Sequence, residues 1–391
     1  MGGVTCHASI ISREFEVPCV IGTRIGTKVL QNGDYVLVDA AKGVVEILQK
    51  YQTFDDSISI KTKKPVTFNL DFRLPTTKAP KQSTPLIIGF GEEFCDNVKL
   101  TGGKGSSLAK SVKTQLPVPP GFCVSSEVFQ QLLVDTGLVP VINGMISEIC
   151  DHNSLSIIAR KIQSLIEEIT IPYYIQQDLM NHFLGLESNL VAVRSSALEE
   201  DSKDCSWAGQ LESYLNTTQG DLVKNIKKCW ASMFSERALI YRHYQGAKSD
   251  NFGVAVVVQK MIDSRLAGTA FSKHPVTQRL DEVFIESCIG LGETLVLGKV
   301  IPTTYTLNKE TMSITSYSIE EQKVSLKRST TGSGTQEHEV CPEEQPLSGD
   351  EAIAIARLVC LMESHHGFPL DIEWAYEGNK LYILQSRPIT T

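Results

Sequence analysis

Near the end of the chain, Asp371-Ile372-Glu373-Trp374 sets two carboxylates two residues apart, so a strand would carry both on one face. A Glu377-Gly378-Asn379 turn follows, and Gln385 and Arg387 repeat the spacing on what would be the return strand. Such a hairpin brings an amide and a guanidinium back towards the carboxylates. Oxygen donors of this kind suit Mg²⁺, which keeps few protein ligands and brings nucleotide phosphates with it. The competing reading is a half-exposed hairpin with its polar side chains turned to water. At the other end, Gly2-Gly3-Val4-Thr5-Cys6-His7-Ala8 places an imidazole after a glycine pair, at an expected helix start. Neutral imidazole, with an ordinary pKa of ~6.5, is a competent nucleophile, and helix-start N–H groups would stabilise a phosphoryl group on it. From these residues alone a surface-turn histidine is the more economical account of His7.

Three further segments carry chemistry less specifically. Gly102-Gly103-Lys104-Gly105 is a glycine-rich turn entering a helix, with a lysine in the turn but without Walker A spacing. An ordinary helix cap explains it equally well. Val193-Arg194-Ser195-Ser196-Ala197 presents a guanidinium fork suited to bidentate phosphate contact. The small residues from Ser206 to Gly209 would make a loop able to close over phosphates, while Glu199 to Asp204 read as a solvated acidic loop. Val256 to Met261, with Gln259, could offer strand backbone to an adenine edge and Met261 as an adaptable packing surface, or could simply be core.

The elements expected to position these groups follow from periodicity and turn residues. A short helix is expected over Ala8 to Phe15, a buried strand over Pro18 to Gly22, and a hairpin from Tyr35 to Val38 through Lys42-Gly43 to Val44–Leu48. Residues 52–85 mix lysines, prolines and threonines and read as a linker, with a possible edge strand at Val66 to Leu70. Helices are expected around Ser126 to Leu133, Ser154 to Ile169 and Leu222 to Tyr244, and strands at Val254 to Val258 and Val283 to Glu286. Residues 309–347 read as a variable loop or weak hairpin, and Ser348 to Glu351 as a capping box opening a helix that stops near His366-Gly367.

Composition narrows the function classes. A chain of 391 residues with 42% hydrophobic and 21% charged residues has room for two or three folded domains. Its net charge of −8 argues against phosphate-backbone binding to nucleic acid as a main task. No apolar stretch approaches the ~20 residues of a membrane helix. Ten cysteines without a CxxC pair point to a reducing, cytoplasmic setting rather than a disulfide scaffold.

Longer strings carry a resemblance. GGVTCHASIISREFEVPCVIGT, followed by LQNGDYVLVDAAKGVVEIL, resembles the C-terminal half of the phosphohistidine swivel domain of phosphoenolpyruvate-utilising enzymes, with Arg13, Glu14, Pro18, Gly22, Gly33, Asp34 and Gly43 in the expected places. VRSSA, CWASMFSERALIYR, the GLGE at Gly290 to Glu293 and DIEWA…LYILQSRP resemble the ATP-grasp domain of the phosphoenolpyruvate synthase and pyruvate phosphate dikinase family, more nearly the synthase. The resemblance implies an α+β or α/β architecture. Residues 1–51 would be a partial β/β/α swivel domain, 52–85 a linker and 86–391 a two-lobed ATP-grasp-type nucleotide-binding domain.

By matching position, Lys104 and Arg194 would hold phosphates and Glu286 would sit near metal and ribose. On the segment readings above, Gly209 would lie in the closing loop and Gln259 and Met261 at the adenine. Glu373, with Asp371 beside it, would bind Mg²⁺, while Gln385 and Arg387 would contact the phosphates undergoing transfer. The implied activity is dikinase chemistry: His7 takes the β-phosphate of ATP and passes a phosphoryl group to pyruvate, as in a pyruvate, water dikinase. A glucan or other hydroxylated acceptor, or a nucleotide-binding module without turnover, are the alternatives. Families of this kind run ATP-grasp before swivel, or the reverse in glucan, water dikinases. The acceptor is expected to bind a domain outside this chain or a partner chain, with no nucleic-acid or membrane partner.

Overall fold

The computed structural model describes residues 17–23, 25–50, 85–198, 211–245, 253–329, 332–341 and 343–389, with residues 9, 12 and 74. His7, Gly209, the acidic loop 199–204, the strand expected over 66–70 and, apart from residues 9 and 12, the helix expected over 8–15 lie outside them. Internal contacts divide the chain into two units. Met1–Pro65, Ser264–Leu326 and Glu337–Gly367 form the first, and Val66–Asp263, Lys327–Gln336 and Phe368–Thr391 the second.

In the first unit, β1 (Tyr35–Asp39) and β2 (Val44–Gln49) form the expected antiparallel hairpin, turned through Gly43 at φ 65°. The strand expected over Pro18 to Gly22 is not one. A strand needs a ladder partner, and among the described residues β1 and β2 pair only with each other. The unit's larger sheet runs β8 (Leu266–Phe271), β9 (Glu282–Ile289), β10 (Thr303–Asn308) and β11 (Ile314–Ser318) in antiparallel sequence. Every residue of β9 is buried, as befits an inner strand covered on both faces. Helix α8 (Gly349–His366) packs on this sheet through Ala352, Ile355, Ala356, Val359 and Met362, one helical stripe. Its start is the capping box read from sequence: the Ser348 hydroxyl accepts from the Glu351 N–H at 3.3 Å, and the Glu351 carboxylate accepts from the Ser348 N–H at 2.9 Å. Gly367, left-handed at φ 77°, ends it.

The second unit is built on a five-stranded antiparallel sheet of β3 (Ile87–Gly89), β4 (Gly121–Val124), β7 (Val254–Lys260), β5 (Val191–Ala197) and β6 (Ser213–Thr217), in that spatial order. The central strand carries Val254, Ala255, Val256, Val257 and Val258, all fully buried, which is why it reads as an unbroken apolar run. Around it lie α1 (Val98–Lys113), α2 (Ser126–Asp135), α3 (Leu138–Ser147), α4 (His152–Glu167), α5 (Tyr173–Gly185), α6 (Leu222–Ser232) and α7 (Glu236–Gln245). The single helix expected over 222–244 is two. The Ser235 hydroxyl accepts from the Ala238 N–H at 3.2 Å and starts α7 afresh. Phe129 of α2 stacks on Trp230 of α6 with ring centroids 5.3 Å apart, joining helices across the core. β12 (Val324–Arg328) and β13 (Thr335–Glu339) form a small two-stranded sheet. The second unit also contains the hairpin of β14 (Leu370–Glu377) and β15 (Lys380–Pro388), turned at Gly378 with φ 55°. The mixed α/β class is as expected from sequence. Among the described residues no helix is long and apolar enough to cross a membrane.

Ser348→Ala removes one half of the α8 capping box. It should lower the unfolding free energy by about 1 kcal/mol, read from the urea midpoint, without altering ligand binding in the second unit.

Candidate functional site

The hairpin places its four polar side chains as the spacing requires. Asp371 lies directly across from Arg387 and Glu373 across from Gln385, so all four share one face. Arg387 donates through Nε at 2.9 Å and Nη2 at 2.7 Å to Asp371 Oδ2. That aspartate therefore orients the Arg387 guanidinium. Beyond Glu373 the register slips by one residue: Trp374 pairs with Ile383, and Leu384 is the extra residue of a β-bulge.

The bulge matters because of Arg194, which arrives from β5. Its Nη2 donates to Glu373 Oε2 at 2.6 Å and to Gln385 Oε1 at 2.8 Å, and its Nη1 donates to the Leu384 carbonyl at 3.1 Å. The guanidinium thus binds a carboxylate, an amide and a bulge carbonyl of one hairpin, with only 12% of the side chain exposed. Arg194 can do so because β5 alternates: Arg194 and Ser196 face one side of the sheet, while the Ser195 hydroxyl on the other donates to the Glu212 carbonyl at 3.0 Å. Lys104 comes from α1, which is not a continuous helix. Gly102 breaks it at φ 69°, ψ −179°, so Lys104 stands in the first turn after the kink.

Electrostatics tie these groups together. Burial pushes the Glu373 carboxyl up, but Arg194, then Arg387 and Lys104, outweigh it and hold it below the ordinary glutamate range. Glu373 is therefore ionised at neutral pH, with three cations around two carboxylates. Such a cluster suits a polyanion that brings its own metal. The donors fit Mg²⁺ in type, being hard and ionised, and its usual coordination leaves places for phosphate oxygens. Among the described residues no group of three or more His, Cys, Asp or Glu side chains forms a protein cage for a metal.

The remaining expected site residues are distributed as follows. Gln259 is buried on β7, its Nε2 donating to the Pro119 carbonyl at 3.4 Å. Met261 follows the strand half-buried, and its N–H donates to the Leu190 carbonyl at 3.1 Å. The amides of Lys260 and Met261 are thus engaged by neighbouring chain, since Lys260 N–H donates to the Pro120 carbonyl at 2.9 Å. Glu286 belongs to the first unit, buried on β9 directly between Thr269 of β8 and Thr304 of β10. His7 and Gly209 lie outside the described residues. The Leu384 carbonyl was not anticipated, and a bulge of one residue leaves no signal in the spacing.

Arg194→Ala should cost about 1–3 kcal/mol of stability, the range for hydrogen bonds to charged groups with half-exposed partners discounted. Because the folded pKa of Glu373 is depressed, its contribution is full above the ordinary glutamate value of ~4.3 and is lost as pH falls through the lower folded value. Urea midpoints of wild type and Glu373→Gln, distinct at pH 7, should therefore converge as pH falls below the ordinary glutamate range and through the lower folded value.

The family model described as pyruvate phosphate dikinase, AMP/ATP-binding domain, matches residues 98–391, and that of the PEP-utilising enzyme, mobile domain, matches residues 1–43. A protein named "Probable phosphoenolpyruvate synthase" from Methanocaldococcus jannaschii is 38% identical over 307 residues, 75% of this chain and 26% of its own length. One of the same name from Archaeoglobus fulgidus is 38% identical over 76% of this chain and 40% of its own length. The "Phosphoenolpyruvate synthase" of Pyrococcus furiosus is 34% identical over 78% of this chain and 44% of its own length. The chain thus spans less than half the length of these relatives. With three-quarters of its length matched by the nucleotide-binding model, the chain belongs to the phosphoenolpyruvate synthase and pyruvate phosphate dikinase family.

Proposed function

We propose that this chain performs the nucleotide side of a dikinase reaction of the pyruvate, water dikinase type, on an ATP-grasp-type domain. The observation that carries the reading is the Arg194 guanidinium gathering Glu373, Gln385 and the Leu384 carbonyl beside Lys104 and the Asp371–Arg387 pair. Phosphoryl transfer needs little covalent help from a protein. It is driven by positioning and by neutralising charge on phosphate oxygens, and the side chains assembled here do that work.

In this proposal Glu373, with Asp371 beside it, holds Mg²⁺, which when bound shields the charge of the phosphate chain. Lys104 and Arg194 fix the non-transferred phosphate oxygens, and Arg387, oriented by Asp371, faces the phosphorus that reacts. Gln385 supplies a neutral donor next to it. Gln259 and Met261 serve the adenine, Gly209 belongs to the loop over the phosphates, and Glu286 contacts ribose or metal. A nitrogen of His7 attacks the β-phosphorus, the bond from that phosphorus to the α,β-bridging oxygen breaks, and AMP leaves. The outer phosphoryl group of the resulting pyrophosphohistidine goes to water, and the inner one goes to pyruvate. The match of residues 1–43 to the mobile-domain model supports His7 in the carrier role. The names of the relatives support pyruvate as acceptor.

Incubation with β-³²P-labelled ATP and Mg²⁺ should leave acid-labile, base-stable label on wild type and none on His7→Ala. Arg387→Ala should reduce the labelling rate by at least about 100-fold, the scale for losing one transition-state charge contact. Labelling of His7→Ala, or undiminished labelling of Arg387→Ala, would discard these assignments. Nucleotide binding without any label on wild type would restrict the chain to a binding module.

A further inference from the structure

The glycine-rich turn that carries Lys104 is held by hydroxyl groups from two other elements. Ser196 is fully buried on β5, two residues beyond Arg194 and therefore on the same face of the strand. Its hydroxyl donates to the Thr101 carbonyl at 2.8 Å and accepts from the Gly105 N–H at 3.3 Å. These bonds span the kink at Gly102. The first satisfies a carbonyl on the near side, and the second satisfies an orphan amide of the helix that restarts on the far side. A side chain at Gly102 would leave its Cβ 2.3 Å from the Ser196 hydroxyl and 2.4 Å from the Ser196 carbonyl oxygen, so turn and strand are in direct contact. One helical turn later the Ser107 hydroxyl lies 2.7 Å from both the carbonyl and the hydroxyl of Ser386. Ser386 sits between Gln385 and Arg387 on β15, with its side chain on the opposite face.

Lys104 is therefore fixed from both directions. Upstream and downstream of it, Thr101 and Gly105 bind the residue two places from Arg194, and Ser107 binds the residue between Gln385 and Arg387. A flexible four-carbon stem can place an ammonium in many positions. Fixing its backbone sets the point and direction from which that stem reaches, leaving only its own torsions to be ordered.

We infer that Ser196 and Ser107 are positioning residues, whose hydroxyls hold the Gly102–Gly105 turn so that Lys104 meets the same phosphate chain as Arg194, Gln385 and Arg387. The inference rests on the nucleotide reading above. It concerns the phosphates alone, and so separates ligands that have them from those that do not.

Calorimetric titration of the full chain with MgATP and with adenosine tests it. Ser196→Ala should weaken MgATP about five- to tenfold, the scale of one lost hydrogen bond, and leave adenosine within about twofold. In a Lys104→Ala background the same substitution should add less than about a twofold loss, because residues acting through one another are not additive. Equal weakening of both ligands, or full additivity with Lys104→Ala, would mean a merely structural role and overturn the inference. If Ser196→Ala lacks the native circular dichroism spectrum, half-buried Ser107→Ala decides by the same criteria. MgATP failing to bind wild type would overturn the nucleotide reading and this inference with it, whereas wild-type binding with unresponsive variants overturns the inference alone.

Discussion

A guanidinium that is nearly buried must find acceptors for its donors, and in the second unit Arg194 finds three of them on one hairpin. Its bonds to Glu373, Gln385 and the Leu384 carbonyl fix where β5 meets β15. The rest of the candidate site depends on that bond set. The bulge at Leu384 aims a carbonyl at Arg194. The depressed pKa of Glu373 follows mainly from the guanidinium beside it. The same strand presents Ser196 to the glycine-rich turn. Removing one charge of such a cluster leaves the others partnered wrongly, so the site is expected to fail as a unit rather than residue by residue.

The arrangement also explains why the site is built from cations and carboxylates held by each other. Arg387 is bonded to Asp371 and Arg194 to Glu373, so each guanidinium is held in place by side chains of the same chain. In the proposed reaction such mutually held groups supply the preorganisation that favours charge stabilisation in phosphoryl transfer. Family membership and site geometry rest on independent observations: matched residues give a nucleotide-binding family, and distances give a charge cluster suited to a phosphate chain.

Much of this was legible in the residues because it depends on local periods. Two-residue spacing put Asp371, Glu373, Gln385 and Arg387 on one face, and their cross-strand register is the one that spacing implies. The Ser348–Glu351 pair marked the start of α8, and the unbroken apolar run marked β7. What local reading missed was set by tertiary contact. The partners of Arg194 lie 179 to 191 residues away, so its first partners in the fold could not be read from its neighbours. Local reading gives no helix over residues 138–147, yet α3 forms there with Pro140 in its first turn, where a missing N–H costs nothing. The break at Ser235 is likewise a single-residue event inside helical sequence, whereas the glycine-rich turn was legible and holds the kink at Gly102.

The account stands on the hairpin face receiving a metal-bound triphosphate. Titration of the folded chain with ATP in the presence of Mg²⁺, and again after chelation, measures this most directly. A saturable one-to-one isotherm that weakens at least about tenfold on chelation, and is insensitive to chelation in Glu373→Gln, is the expected result. No heat of binding, or equal affinity with and without the ion in wild type, would contradict it.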